Sequence, residues 1–171
     1  MKEKELKYII REIRQEEIGA LEDLLYEAIF QPDESKLLPR EVIKQPDISV
    51  YIDEFGEKED DLCLVAEVEG KIIGAVWTRI LDGQIKGYGN IDSKTPEFAI
   101  ALFKGYRKQG IGTELMRQML VKLRKKGYLK ASLSVDRANY ARRMYEKVGF
   151  KSIKEQAHDC LMLCDLKAID M

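Results

Sequence analysis

A strand that runs through two close glycines straight into an amphipathic helix occupies residues 98 to about 126, and this junction restricts the possible folds more than any other stretch. Phe98-Ala-Ile-Ala-Leu-Phe103 is an apolar run of the length of a buried strand. Arg107-Lys-Gln-Gly-Ile-Gly-Thr-Glu-Leu-Met-Arg117 follows, with apolar residues at 111, 115, 116, 119, 120 and 123, the spacing of one helix face. A junction of this kind leaves the N–H groups of the first helical turn without partners. Those donors, the positive end of the helix dipole and the flanking Arg107 and Lys108 suit a phosphate or pyrophosphate. The bare alternative is a glycine pair that only makes a tight turn.

The ligand class follows from what the junction lacks. A dinucleotide-binding turn places a third glycine three residues after the second, and position 115 is Leu. A P-loop places Lys and then Ser or Thr directly after its last glycine, whereas Thr113-Glu114 stand here. A second strand-like run, Leu129–Val135, ends at Asp136, near where a ribose-binding acid would sit. Without the third glycine, and with two cations inside the turn, that acid does not make a dinucleotide site.

A second segment narrows the reading. Residues 134–150 contain a short helix with Ala141, Met144, Tyr145 and Val148 on one side, Gly149 where a left-handed C-terminal cap belongs, and Phe150 placed to pack back on the last turn. Arg-x-x-Gly-x-Gly at 107–112 and Asn-x-Ala-x-x-x-Tyr-x-x-x-Gly-Phe at 139–150 together resemble the GNAT superfamily of N-acetyltransferases, in particular its small bacterial members of unassigned acceptor. The resemblance spans nearly the whole chain. It implies one α/β domain over residues 1–171, built on a mixed, mostly antiparallel sheet of about seven strands with helices on both faces.

The same resemblance implies an activity: direct transfer of an acetyl group from acetyl-CoA to an amine, in a complex holding both substrates. A thioester is already activated, so the protein must position it beside a neutral amine, stabilise charge on the carbonyl oxygen and protonate the departing thiolate. Pantetheine is a chain of amides and can add to an open sheet edge as a strand does. That role falls on the backbone of Ala101, Leu102 and Phe103, with the Leu102 N–H as oxyanion donor. The pyrophosphate role falls on Arg107, Lys108, Gln109, Gly110, Ile111 and Gly112, with Thr113 as a further donor. Lys104-Gly105 replaces the family's commoner Pro-Glu ahead of Tyr-Arg and leaves the glycine turn intact.

Tyr145 matches the tyrosine that protonates the leaving thiolate in such enzymes; the bland alternative is a core tyrosine anchoring its helix. Asn139 either bonds the pantetheine amide or caps the helix it precedes. Glu97, at the head of the cofactor strand, is either the base or a solvated strand end. Acceptor contacts fall best on the loop from Asp82 to Pro96, with Tyr88, Asn90 and Asp92, whereas the acidic run Asp53–Asp61 reads as a solvated loop. The acceptor class, a small-molecule amine or a protein amine, stays open, as does a homodimer. A reading of another class also stands: a catalytically idle acyl-CoA-binding or regulatory module of the same fold, which turnover on an amine panel separates from an enzyme.

The remaining elements fit this order. Leu6–Ile13 reads as an edge strand, Glu16–Phe30 as a helix stopped by Pro32, and 35–55 as short helical pieces broken by Pro39 and Pro46. Asp61–Val68 and Lys71–Leu81 form a hairpin about Glu69-Gly70, and two strands near 150–156 and 158–166 close the chain. A net charge of −1 gives no general attraction to nucleic acid or to an anionic membrane. The cluster Arg124-Lys-Lys126 therefore reads as complementing a helix end rather than binding nucleic acid. No apolar run is long enough to span a membrane, and Met1–Lys7 lacks the apolar core of a signal peptide, so the expected location is cytoplasmic. Cys63, Cys160 and Cys164 read as small core residues, His158 as a bystander, and no metal is expected.

Overall fold

The computed structural model describes residues 6–170, so the signal-peptide reading of the N-terminus falls largely outside the described residues. The elements in chain order are β1 (Ile9–Glu12), α1 (Leu21–Ala28), α2 (Pro46–Ser49), β2 (Leu62–Val68), β3 (Lys71–Arg79), β4 (Glu97–Leu102), α3 (Ile111–Lys125), β5 (Lys130–Asp136), α4 (Ala141–Val148), β6 (Phe150–Glu155) and β7 (Asp159–Asp165). The strands form one seven-stranded sheet in the order β1-β2-β3-β4-β5-β7-β6. Every pair is antiparallel except β4 with β5. The sequence places these strands closely. Its single helix over 16–30 is instead a 3-10 stretch, Gln15–Ala20, leading into α1.

The β2–β3 hairpin turns on Glu69 and Gly70, at φ values of 49° and 81°. Two consecutive left-handed residues match the strand twist, which is why a two-residue loop suffices. One face of the sheet packs on α3, whose Leu115, Met116, Met119 and Leu123 are wholly buried against Leu64, Val76, Phe98, Ala131, Leu133 and Met162. Burying such a side chain is worth about 1.5–3 kcal/mol. Helix propensities differ by only a few tenths, so packing and not propensity holds α3.

The other face packs on α1, with Leu21, Leu24 and Leu25 against Val65, Ala75, Trp77 and Phe55. The acidic run is exposed at Asp53, Glu54, Glu57 and Glu59, as a solvated loop is, and of its acidic side chains only the last turns inward. Asp61 is buried and pairs bidentately with Arg79, Nε to Oδ1 at 3.0 Å and Nη2 to Oδ2 at 3.2 Å, while Arg79 Nη1 donates to Val50 O and Asp53 O. Gly56 N–H and Lys58 N–H also donate to Asp61 Oδ2, so both charges have several partners, as buried charges require. The three cysteines are reduced and buried; burial pushes the Cys164 thiol up to about 11 and raises Cys63 as well. Among the described residues no helix is long and apolar enough to cross a membrane, and no three His, Cys, Asp or Glu side chains gather as a metal site would need.

Candidate active site

The parallel pair β4–β5 is barely a pair. Its register holds only at Glu97↔Ser132, where Ser132 N–H donates to Pro96 O at 3.0 Å. Each strand is fully paired on its other side, β4 with β3 and β5 with β7, so the two diverge beyond that point and leave a gap. Phe103 N–H donates to Ile73 O at 3.0 Å, and the β3–β4 register runs without a shift from there to Arg79↔Glu97. Backbone groups alternate between the two edges of such a strand. Ala99, Ala101 and Phe103 therefore face β3, and Ile100 and Leu102 face the gap. Of the three residues expected to offer their backbone to a pantetheine chain, Ala101 and Phe103 have theirs turned to β3, and Leu102 alone presents its N–H to the gap. Gly74 permits the close approach of β4 here, since a Cβ at that position would collide with the Leu102 side chain and lie 2.9 Å from Ala101 O.

The gap leads to the start of α3. Gly110 caps the helix at φ 85°, in the left-handed region that glycine favours. Glu114 N–H makes the first helical bond, to Gly110 O at 3.2 Å, and the N–H groups of Ile111, Gly112 and Thr113 ahead of it lie in the turn that has no helical acceptor. Among the side chains expected at a pyrophosphate, the roles diverge. Ile111 is wholly buried and belongs to the core. A Cβ on Gly112 would lie 3.4 Å from Leu102 Cδ1 and 3.6 Å from Met144 Cε, so this glycine brings α3, β4 and α4 together. Arg107 spans the turn, Nε donating to Leu102 O at 2.8 Å and Nη2 to Glu27 Oε2 at 3.0 Å. Gln109 Nε2 donates to Gly105 O at 2.9 Å. Lys108 is exposed, at φ 61°, with no ion pair among the described residues.

Glu97 is not a solvated strand end: it is 3% exposed. Its Oε2 accepts from the Tyr51 hydroxyl and from Gly89 N–H at 2.9 Å, while Oε1 accepts nothing from the described residues. Burial pushes the carboxyl up to about 7, even though the two donors on Oε2 pull it down. The loop expected to meet the acceptor closes over this group. A Cβ on Gly87 would collide with Oε1, and one on Gly89 would lie 2.8 Å from the Leu133 and Ser134 backbone. Ser132 Oγ donates to Gly89 O at 2.7 Å, Tyr88 N–H donates to the Tyr51 hydroxyl at 2.8 Å, and the Tyr88 hydroxyl reaches Asp47. Asn90 and Asp92 bond within the loop, to Asp92 O and from Lys94 N–H. Tyr51, Gly87 and Gly89 were not legible as site residues. The Gly-x-Gly spacing at 87–89 was the available signal, and nothing in the sequence marks Tyr51.

Tyr145 lies on the inner face of α4, 8% exposed, its ring 6.4 Å from that of Phe150, which sits 5.5 Å from Phe98 at the head of β4. Burial pushes its hydroxyl up to about 12. Asn139 Oδ1 accepts from Ala141 N–H at 2.9 Å, the capping option of the two left open. Two surface cavities, about 840 and 470 Å³, touch no residue of β4.

The model of the acetyltransferase (GNAT) family matches residues 21–150. The chain belongs to the GNAT acetyltransferase family. Among solved structures it is similar to PaiA N-acetyltransferase of Thermoplasma acidophilum in complex with coenzyme A, at 21% identity and a TM-score of 0.68, covering 94% of this chain and 99% of that one. YncA of Salmonella typhimurium with acetyl-CoA, described as a putative acetyltransferase, gives 14% identity and a TM-score of 0.65 over 96% and 97%. The ribosomal-protein-S18-alanine N-acetyltransferase of Escherichia coli gives 16% and 0.63 over 94% of each chain. At these identities the likeness is one of fold. Among curated proteins none matches the sequence.

Proposed function

We propose that this GNAT protein transfers an acetyl group from acetyl-CoA directly to an amine. The observation that carries the reading is the gap beside β4, where the Ile100 backbone and the Leu102 N–H have no strand partner and lead to the open N–H groups at the start of α3. An amide chain finds a strand edge there and a pyrophosphate finds a helix N-terminus at its end. Lys108 adds positive charge, and Arg107, engaged with Leu102 O and Glu27, holds the turn in shape. Two members of the fold named above were solved with coenzyme A or acetyl-CoA.

In the reaction the amine nitrogen bonds to the acetyl carbon and the carbon–sulfur bond breaks. The Leu102 N–H stabilises the carbonyl oxygen while it carries charge. The amine surrenders one proton to Glu97, directly or through water, and the sulfur takes one from the Tyr145 hydroxyl. Tyr145 regains its proton from solvent, and Glu97 returns its own there. A carboxyl pushed up to about 7 is a base matched to neutral pH, and the Tyr145 phenol carries its proton at neutral pH and can give it to the thiolate as it leaves.

The test is turnover on a panel of polyamines, amino acids, aminoglycosides and peptide amines, followed by release of the CoA thiol. Acetylation of at least one amine is the expected result. Tight acetyl-CoA binding with no turnover on any of them would identify an idle binding module instead.

A further inference from the structure

Glu97 has two oxygens in unlike positions, and one side chain makes them so. Tyr51 lies in the turn after α2, its backbone carbonyl accepting from Trp77 Nε1 at 3.0 Å, so the residue is anchored to β3 independently of its hydroxyl. Its hydroxyl accepts from Tyr88 N–H at 2.8 Å and donates to Glu97 Oε2. A phenol has one proton, and here one carboxylate oxygen receives it. Oε2 takes a second donor, Gly89 N–H, and is fully engaged; Oε1 is buried without a hydrogen-bond partner among the described residues, with Gly87 packed against it.

We propose that Tyr51 is the positioning residue of the base: it loads Oε2 of Glu97 and leaves Oε1 as the oxygen that takes up the proton of the amine. The inference rests on the reading of Glu97 as base given above and adds which oxygen acts and what fixes it. Through Tyr88 N–H the same hydroxyl ties the base to the loop that closes over it, so base and loop are set together. The charged and titratable groups around the carboxyl come from each packed element. They are Tyr51 after α2; Tyr88 in the loop, whose hydroxyl sits with Asp47 and near Asp159; and Arg79, beside Glu97 on β3 but turned to Asp61.

The sign of the effect follows from the chemistry. A hydrogen bond to the ionised carboxylate favours the charged form, so its loss raises the pKa of Glu97. The experiment is the pH profile of kcat/KM for Tyr51→Phe beside wild type and Glu97→Gln, with the Glu97 carboxyl titrated separately by ¹³C NMR in the free protein. Tyr51→Phe is expected to move the acid limb upward by about one to two pH units, the range for losing a hydrogen bond to a charged group, and to cut the rate at pH 7 by about tenfold. Acetyl-CoA affinity in calorimetry should be unchanged, and the NMR midpoint should move by the same amount as the limb. A purely structural tyrosine would lower stability or rate without moving either midpoint, and that result overturns the proposal. An inactive Glu97→Gln beside an unmoved Tyr51→Phe limb keeps the base and removes the positioning role. Full turnover in Glu97→Gln removes the base reading itself, and with it the assignment of Oε1.

Discussion

Tyr145 tests the acid role at the level of one oxygen atom. Tyr145→Phe keeps the ring that packs on Phe150 and removes only the hydroxyl, which makes no hydrogen bond with the described residues. Stability should hardly change, because no partner is left unsatisfied. If the hydroxyl feeds the leaving sulfur, turnover falls by about 10²-fold or more while acetyl-CoA affinity stays the same. Near-normal turnover with the chemical step rate-limiting would assign the proton to water. This residue was legible because its spacing to Asn139, Gly149 and Phe150 repeats a family pattern. Tyr51 was not, since a tyrosine in an irregular, proline-broken segment carries no periodicity, and only the folded chain brings it across 46 positions to Glu97. Glu97 itself stood open in sequence as base or strand end. Its burial decides against the solvated end, and that depends on the loop that folds back over it.

Among the elements, the junction of β4 and α3 was read almost residue for residue, because a strand, a glycine turn and an amphipathic helix each leave a local signature. What the sequence could not assign was the edge on which each backbone group lies. That depends on the β3–β4 register, a contact between segments some 25 residues apart, and it turns Ala101 and Phe103 away from the gap. The acidic run is the solvated loop expected except at its end, for a related reason: Asp61 is claimed by Arg79 of β3. The junction predicts its own test. A Cβ on Gly110 meets nothing within 4 Å, and aspartate tolerates the left-handed region better than most residues, so Gly110→Asp should fold at a cost of about 1 kcal/mol. Its carboxylate then stands at the open helix start, where an anion is expected to bind. Acetyl-CoA affinity should fall by at least about 10²-fold, the range for opposing charge at short distance in a partly buried site. Unchanged affinity in calorimetry, with a normal melting transition, would move the anion site away from this turn.

At the scale of the whole molecule, the sheet is continuous only because Glu97 and Ser132 join two groups of strands, β1–β4 and β5–β7, with one register position. The core beneath that seam does the rest. α3 follows β4 and buries side chains against both groups, and Phe98 of β4 meets Phe150 of β6. A ligand lying along the gap would touch both groups and raise the stability of the entire chain, not of one loop. A ligand that binds only the folded state, at about 100 times its dissociation constant, adds about 2.7 kcal/mol. For a chain of this length that is a melting shift of about 5–11 °C. CoA and acetyl-CoA should produce it in a thermal melt. NAD should not, because Leu115, wholly buried in the core, stands where a dinucleotide turn needs its third glycine. ATP should not either, because Thr113-Glu114 lacks the lysine that a P-loop uses. An equal shift with NAD and with CoA would mean that the turn is read by its pyrophosphate alone and that the gap beside β4 plays no part. A CoA shift that survives Gly110→Asp would place the gain along the strand edge, in the amide chain rather than the pyrophosphate. Measuring both ligands on both proteins therefore separates the two parts of the site.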